Sequence, residues 1–120
     1  MSQANVEAAR RGFEAALRGD LDAIAELLDP NVRWHGGDPD AAGSCQNRNQ
    51  ALDFMRRSDV IRGGRFELVD VVDAGDKVVV IMRPPSASEP VANVATFRDG
   101  KVVEMVHFPN VDDALAAARG

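Results

Sequence analysis

The C-terminal half of the chain contains four apolar segments separated by turn-forming residues, and this pattern restricts the fold more than any other feature. The segments are RFELVDVVD, KVVVIMR, VANVATFR and KVVEMVHF. Their β-branched and aromatic residues are typical of strands. The connections AGD (74–76) and Asp99–Gly100 have the composition of tight hairpin turns, and PPSASEP forms a longer loop. Because hairpin turns join antiparallel neighbours, the pattern predicts a meander of antiparallel strands.

The N-terminal half of the chain has helical periodicity instead. Apolar residues recur three or four positions apart in two segments, which Gly19 separates and of which Asp20 caps the second. The second helix is predicted to end at Asp29–Pro30, because the residue before a proline avoids the helical conformation. The next segment, NVRWH, is a short predicted strand. A third helix is predicted to begin near Asn47 or Asn49, and the closing VDDALAAAR is also predicted to be helical.

Length and charge argue against several classes of protein. The 120 residues contain no internal repeat and no linker, so residues 1–120 are predicted to form one α+β domain. The net charge is −5 and the basic residues are scattered, which argues against nucleic acid and membranes as partners. The N-terminus shows neither a signal peptide nor a membrane span. The single cysteine, Cys45, permits no internal disulfide and indicates a reducing, cytoplasmic location.

Alternation along the last two strands predicts which side chains face the helices. If Asp99–Gly100 is a two-residue turn, Val94 lies opposite Met105 and Ala92 lies opposite His107. We expect this face to point inward. The opposite face is also largely apolar, and the helices are expected to cover one face only. A second copy of the chain is the simplest cover for the other, outer face of the sheet, so we expect a homodimer through that face.

Three strings along the chain resemble the nuclear transport factor 2-like superfamily, which includes the ketosteroid isomerases and the SnoaL-type polyketide cyclases. They are GDLDAIAELLDPNVRWHG, NRNQALDFM and FRDGKVVEMVHF. The resemblance implies a cystatin-like α+β fold, a cone in which a curved antiparallel sheet wraps around N-terminal helices. It also implies a ligand pocket at the open end of the cone. Many members dimerise through the outer sheet face.

The activity of the ketosteroid isomerases does not carry over to this chain. Their catalytic tyrosine falls on Gly12, their catalytic aspartate on Gly36, and their second aspartate near Asn93 or Val94. Glycine cannot replace a carboxylate base, so we reject that mechanism. SnoaL-type cyclases pair a late-strand aspartate with a histidine. Here a late strand carries His107, but no aspartate occupies the matching inward positions.

His107 is the candidate catalytic residue. It lies near the end of a nearly all-apolar strand, where burial of an imidazole without a partner would cost free energy. The matching late-strand position in these families lines the pocket, and an imidazole can exchange a proton near neutral pH. The alternative is a histidine that is hydrogen-bonded to a neighbouring side chain or to water and has no chemical role.

The candidate ligand-binding residues follow from strand parity, helix faces and the family resemblance. They are Trp34, Met105, Phe13, Val94, Phe54, His35 and Arg48. Trp34 shares parity with Gly36, which aims the indole at the cavity, where it either contacts a flat or hydrophobic ligand or fills the cone. Arg48 opens the third helix and either reaches an anionic group of a ligand or forms a structural ion pair.

The polar residues of the WHGGDPD segment are expected at the rim of the pocket. His35, Asp38 and Asp40 either form a polar gate, form an adventitious cation site or belong to a charged surface loop. Two distant histidines and one cysteine, without paired spacing, do not favour a zinc site. Cys45 has no evident histidine partner for a nucleophilic role. We therefore expect no metal and no cofactor.

Two functions fit these features. The first is a cofactor-independent isomerase, cyclase or dehydratase that acts on a small hydrophobic molecule with His107 as acid or base. This function requires a second polar group within hydrogen-bonding reach of the imidazole or of the reacting atom. The second is a non-catalytic module for small-molecule binding or dimerisation.

Overall fold

The chain folds as helices followed by strands, in the predicted order. The computed structural model describes residues 3–57, 66–85 and 87–119. The elements are α1 (Gln3–Arg18), α2 (Leu21–Leu27), β1 (Leu28–His35), α3 (Arg48–Arg56), β2 (Glu67–Ala74), β3 (Lys77–Arg83), β4 (Val91–Arg98), β5 (Lys101–Phe108) and α4 (Val111–Arg119). This confirms the α+β class. Arg65, the first residue of the predicted RFELVDVVD strand, lies outside the described residues.

Polar side chains fix the starts of α2 and α3. The Asp20 carboxylate accepts a hydrogen bond from the backbone N–H of Ala23 at 3.1 Å, and Asn47 accepts the equivalent bond at the start of α3 at 2.9 Å. These bonds satisfy N–H groups that have no partner within the helix. α2 ends before the predicted Asp29–Pro30 boundary, because Leu28 is already extended and begins β1.

The strands form a five-stranded sheet in the order β1-β5-β4-β3-β2. Strands β2 to β5 form the predicted antiparallel meander, whereas β1 pairs with β5 in parallel. The connection between β1 and β5 is long enough to permit a parallel pairing, which a hairpin turn could not produce. The sheet is therefore mixed rather than wholly antiparallel.

The β4–β5 hairpin has the predicted turn but not the predicted register. Arg98 pairs with Lys101 and Phe97 with Val102 as expected, and a bulge beyond this second pair shifts the ladder by one residue. A bulge places an extra residue on one strand and changes which side chains lie opposite each other. His107 therefore lies opposite Asn93, and the expected pairing with Ala92 was wrong.

The outer face of the sheet is covered in part by α4. Ala114 and Ala118 of this helix are buried in a cluster with Val79 and Val94. The predicted inward position of Val94 was therefore wrong, because the bulge pairs this residue with Val106 rather than with Met105. The expectation that the helices cover only one face was also wrong, since α4 contacts β3, β4 and β5. The homodimer stays a prediction.

The helices are short and amphipathic. Within the described ranges, none of them combines the length and the apolar character that a membrane crossing requires.

Candidate ligand-binding site

A cavity of about 830 Å³ lies between the helices and the inner face of the sheet. Its wall includes residues of α1, α2 and β1, the segment after β1, the end of α3 and the inward side chains of β3, β4 and β5. Sites for small organic ligands have volumes of roughly 300–1,000 Å³. The fold therefore provides a hollow of suitable size for such a ligand.

The wall of the cavity is predominantly apolar. Helix α1 contributes mainly small residues, namely Ala8, Ala9, Gly12 and Ala16. The facing strands contribute larger apolar side chains, among them Val80, Met82, Phe97, Val102 and Met105. The small residues leave space, and the large ones supply surface for contact. A wall of this kind favours a ligand with a hydrophobic skeleton.

Trp34 is fixed in the wall by the backbone on both sides of β1. It pairs with Met105 of β5, and on its other edge it exchanges two backbone hydrogen bonds with Cys45, at 2.8 and 3.0 Å. Its ring lies 6.2 Å from the ring of Phe54 at an angle of 54°, a tilted aromatic contact. Phe54 is 44% exposed although it lines the cavity. The two rings together offer an aromatic surface for a ligand.

His107 lies in the cavity wall and has a polar partner there. Its Nδ1 atom is 2.9 Å from the Oδ1 atom of Asn93, the residue directly opposite on β4. An amide oxygen only accepts hydrogen bonds, so Nδ1 carries the proton and donates it. The neutral ring is thereby held in the tautomer whose Nε2 atom keeps a free lone pair. The Asn93–His107 pair thus combines an acceptor, Nε2, with an amide donor, Nδ2.

His107 is an exposed residue of β5 rather than a buried one, and the partial desolvation of its ring affects its protonation. Desolvation disfavours the charged imidazolium and lowers the pKa of this ring from its ordinary value of 6.5. The ring is therefore neutral at pH 7 and available as a proton acceptor. The unfolded chain binds this proton more readily than the folded chain does. The contribution of this pKa shift to the free energy of unfolding is therefore fully present above pH 6.5, and it is lost as the pH falls from 6.5 through the lower pKa of the folded chain.

We expect an NMR pH titration to give His107 a pKa below 6.5. Asn93→Asp should raise that pKa, because a carboxylate opposite the ring stabilises the imidazolium. Asn93→Leu is the matched control, since it removes the hydrogen bond without adding charge. In urea unfolding, His107→Gln should lose less stability between pH 7 and pH 5 than the wild type does. A wild-type pKa at or above 6.5 contradicts this account.

His35 is buried at the end of β1 and makes two hydrogen bonds of defined direction. The backbone N–H of Gly37 donates to Nδ1 at 3.0 Å, so Nδ1 carries no proton. The proton is therefore on Nε2, which donates to the Oε2 atom of Glu104 at 2.8 Å. The His35 side chain is 6% exposed and the Glu104 side chain 42% exposed. His35 and His107 are thus held in opposite tautomers.

The three polar residues predicted at the rim are not joined into one gate. His35 bonds to β5, and Asp40 forms an ion pair with Arg33 at 3.3 Å. Asp38 lies in the cavity wall and caps a turn of its own segment, because its carboxylate accepts the Asp40 backbone N–H at 2.9 Å. Within the described ranges, no group of three or more His, Cys, Asp or Glu residues is arranged to hold a metal ion.

Six of the eight residues proposed from the sequence lie in the cavity wall, and their binding of a ligand stays a prediction. They are His107, Trp34, Met105, Phe13, Phe54 and His35. Val94 lies on the outer face. Arg48 lies outside the wall, because the cavity contacts the last turn of α3 and Arg48 begins that helix. Six residues of helix separate Arg48 from Phe54 by about 9 Å along the axis.

Two residues of the wall have roles that were not predicted. Asn93 is the partner of His107, and its signal was present, since it is a polar residue within an apolar strand. Cys45 is buried in the wall. Burial raises the pKa of its thiol, which the guanidinium of Arg57 partly opposes. A thiol with a raised pKa is protonated at pH 7 and is a poor nucleophile.

Similar proteins share this fold. Bal32a, from a soil-derived mobile gene cassette, is 28% identical over 88% of each chain, with a TM-score of 0.72. A proposed SnoaL-like polyketide cyclase from Jannaschia sp. CCS1 is 25% identical over 98% of this chain and 92% of its own, with a TM-score of 0.66. A nuclear transport factor 2-like protein of unknown function from Burkholderia pseudomallei is 20% identical over 100% of both chains, with a TM-score of 0.67.

No curated protein matches the chain significantly. The sequence model of the SnoaL-like domain family, however, matches residues 9–105, which is most of the chain and runs from within α1 through β4 and into β5. The structural neighbours have the same α+β architecture. This protein therefore belongs to the SnoaL-like domain family, and it shares its fold with a nuclear transport factor 2-like protein.

Proposed function

We propose that this protein binds a small, mainly hydrophobic molecule in the cavity and converts it as a cofactor-independent isomerase, cyclase or dehydratase. The observation that carries this proposal is the Asn93–His107 pair in a predominantly apolar wall. Membership of the SnoaL-like domain family supports the class of activity. The resemblance to a proposed polyketide cyclase points in the same direction.

The pair supplies a base and a hydrogen-bond donor for one carbonyl compound. The Nε2 atom of His107 takes a proton from the carbon next to the carbonyl. The electron pair of that C–H bond forms a C=C bond, and the π pair of the C=O bond moves to the oxygen. The Nδ2–H group of Asn93 donates to the enolate oxygen that forms. The imidazolium then returns the proton to a different carbon of the ligand, which completes an isomerisation. In a dehydration it protonates a hydroxyl on the β-carbon instead, and the C–O bond breaks to release water as the carbonyl re-forms.

One observation favours the alternative, a binding module without turnover. The partner of the His107 ring is an amide, which orients the imidazole but carries no negative charge to stabilise the imidazolium. The same pair would then recognise one polar group of the ligand, with Nε2 accepting and Nδ2 donating. Both functions require that the cavity admit a ligand, so binding is the first property to measure.

We propose 2-tetralone, a bicyclic ketone, as the probe for binding, with tetralin as the same skeleton without oxygen. The chain has a single tryptophan, so the indole N–H signal of Trp34 in an NMR spectrum reports on the cavity alone. We expect 2-tetralone to shift this signal and to bind more tightly than tetralin, by about fivefold or more, since a hydrogen bond contributes about 1 kcal/mol.

Gly12→Leu is the variant that tests whether the cavity is the binding site. A Cβ atom at Gly12 would meet the flexible end of Leu27 at 3.1 Å, and the rest of the leucine side chain would enter the cavity. Replacing a helix-interior glycine also favours the helix, so the variant should remain folded. Glu14→Leu is the control, because Glu14 is exposed on the same helix. Binding that is absent in wild type, or equal in both variants, rejects the proposed function.

The homodimer and the cytoplasmic location are further proposals. α4 leaves part of the outer face uncovered, including the half-buried side chains of Thr96 and Val106. A second copy of the chain is the cover that we propose for them. Sedimentation at micromolar concentration should give a dimer, and a monomer would reject that proposal. Fractionation of cells that express the protein tests the location.

A further inference from the structure

The segment between β1 and α3 forms one side of the cavity and is attached beside His107. It leaves β1 after His35, which pairs with Val106, so the next residue, Gly36, follows toward His107 in the parallel register. It returns at Cys45, which pairs with Trp34. We call residues 36–44 the rim loop. Its residues in the cavity wall are Gly36, Asp38, Ala41, Ala42, Gly43 and Ser44.

Two side chains of β1, those of Arg33 and His35, hold the rim loop. Arg33 reaches Asp40 at 3.3 Å and the side chain of Gln46 at 2.8 Å. His35 accepts the backbone N–H of Gly37, at the root of the loop. Gly37 has φ +126°, a conformation that few other residues adopt, so this root has a specific backbone shape. The position of the loop therefore depends on these two side chains of β1.

The bond from Gly37 requires one tautomer of His35. Nδ1 accepts only if it carries no proton, and the neutral ring then has its proton on Nε2. That Nε2–H group is buried with the ring, and Glu104 supplies its acceptor at 2.8 Å. Without an acceptor the tautomer would leave a buried donor unpaired, which is unfavourable. The opposite tautomer would place a proton on Nδ1, facing the N–H of Gly37.

We propose that Glu104 is a positioning residue for the ligand site, which acts through His35 on the rim loop. Glu104 lies on the outer face of the sheet and does not line the cavity. It selects the tautomer of His35, and this tautomer fixes Gly37 and the loop root next to the Asn93–His107 pair. The inference deepens the proposed function and rests on it in one step only, the effect on ligand binding.

Three variants test the proposal. Glu104→Leu removes the acceptor, Glu104→Gln keeps an oxygen that accepts from Nε2–H, and Thr96→Val changes the cross-strand neighbour of Glu104 on the same face. With Glu104→Leu we expect hydrogen exchange of the Gly37 amide to rise about tenfold and affinity for 2-tetralone to fall about tenfold, the effect of one unpaired buried donor. For Glu104→Gln and Thr96→Val, the exchange rate of the Gly37 amide and the affinity for 2-tetralone should both remain within about twofold of wild type, since Nε2–H of His35 keeps an acceptor in each.

The ring nitrogens of the wild-type protein give a second, independent measurement. In ¹⁵N NMR spectra we expect His35 to carry its proton on Nε2 and His107 on Nδ1. A His35 proton on Nδ1 overturns the proposal even if Glu104→Leu does not fold. Unchanged Gly37 exchange in a folded Glu104→Leu protein also overturns it. If 2-tetralone does not bind the wild type, the proposed function fails, while Gly37 exchange and the tautomers still decide whether Glu104 positions the loop.

Discussion

Replacing His107 with glutamine is expected to slow the exchange of deuterium from solvent into 2-tetralone by at least about 100-fold, because general base catalysis contributes about 10² to 10⁴ in rate. The carbon between the ring and the carbonyl of this ketone loses a proton readily. In the wild type, Nε2 is neutral at pH 7 and takes this proton, and D₂O replaces it on the imidazole before it is returned. Glutamine retains a polar side chain opposite Asn93 but cannot accept the proton. Exchange is measured by proton NMR of the ketone in D₂O.

The companion variant for this experiment is Asn93→Asp. Its carboxylate still accepts from the Nδ1–H group of His107, but it cannot donate to an enolate oxygen, and its negative charge opposes the formation of one. We expect this variant to bind tetralin as the wild type does and to catalyse deuterium exchange into 2-tetralone more slowly. If the wild type binds 2-tetralone but does not accelerate exchange, the binding module is the correct function and His107 has no catalytic role on this probe.

The elements of the fold were predictable because each has a local cause. The strands follow from runs of β-branched residues between turn signals, and the helix starts follow from Asp20 and Asn47, whose side chains cap them. The parallel pairing of β1 with β5 was not predictable in this way. It joins residues about 70 positions apart, and no short sequence signal specifies which edge of a sheet a separate strand will join.

The site was predictable in its apolar part and not in its polar part. Parity along β1 and β5 placed Trp34, Met105 and His107 in the wall. The polar partner of His107 depends on the bulge in β4–β5, which shifts the pairing by one residue and places Asn93 rather than Ala92 opposite the ring. Gly100 and Asp99 mark the turn in the sequence, but an extra residue further along the ladder has no comparable marker.

The position of α4 was unpredicted for a related reason. Its periodicity identifies a helix, but an amphipathic helix can pack on either face of a sheet that is apolar on both. Here it covers the outer face, with Ala114 fully buried against Val79 and Val94. Alanine at the contact allows close approach of the helix backbone to the strands. The outer face is therefore part of the core, which has a direct consequence for stability.

Ala114→Glu is expected to lower the free energy of unfolding by about 3 kcal/mol, because it places a charge in an apolar contact or detaches α4 and exposes buried valines. Ala116→Glu is the matched control, since Ala116 is exposed on the same helix and surface changes usually stay within about 0.5 kcal/mol. Urea unfolding followed by Trp34 fluorescence measures both. Equal stability of the two variants would mean that the packing of α4 contributes little to the folded state. Because Trp34 and the cavity lie on the other face, Ala114→Glu should change 2-tetralone binding only as far as it reduces the folded fraction.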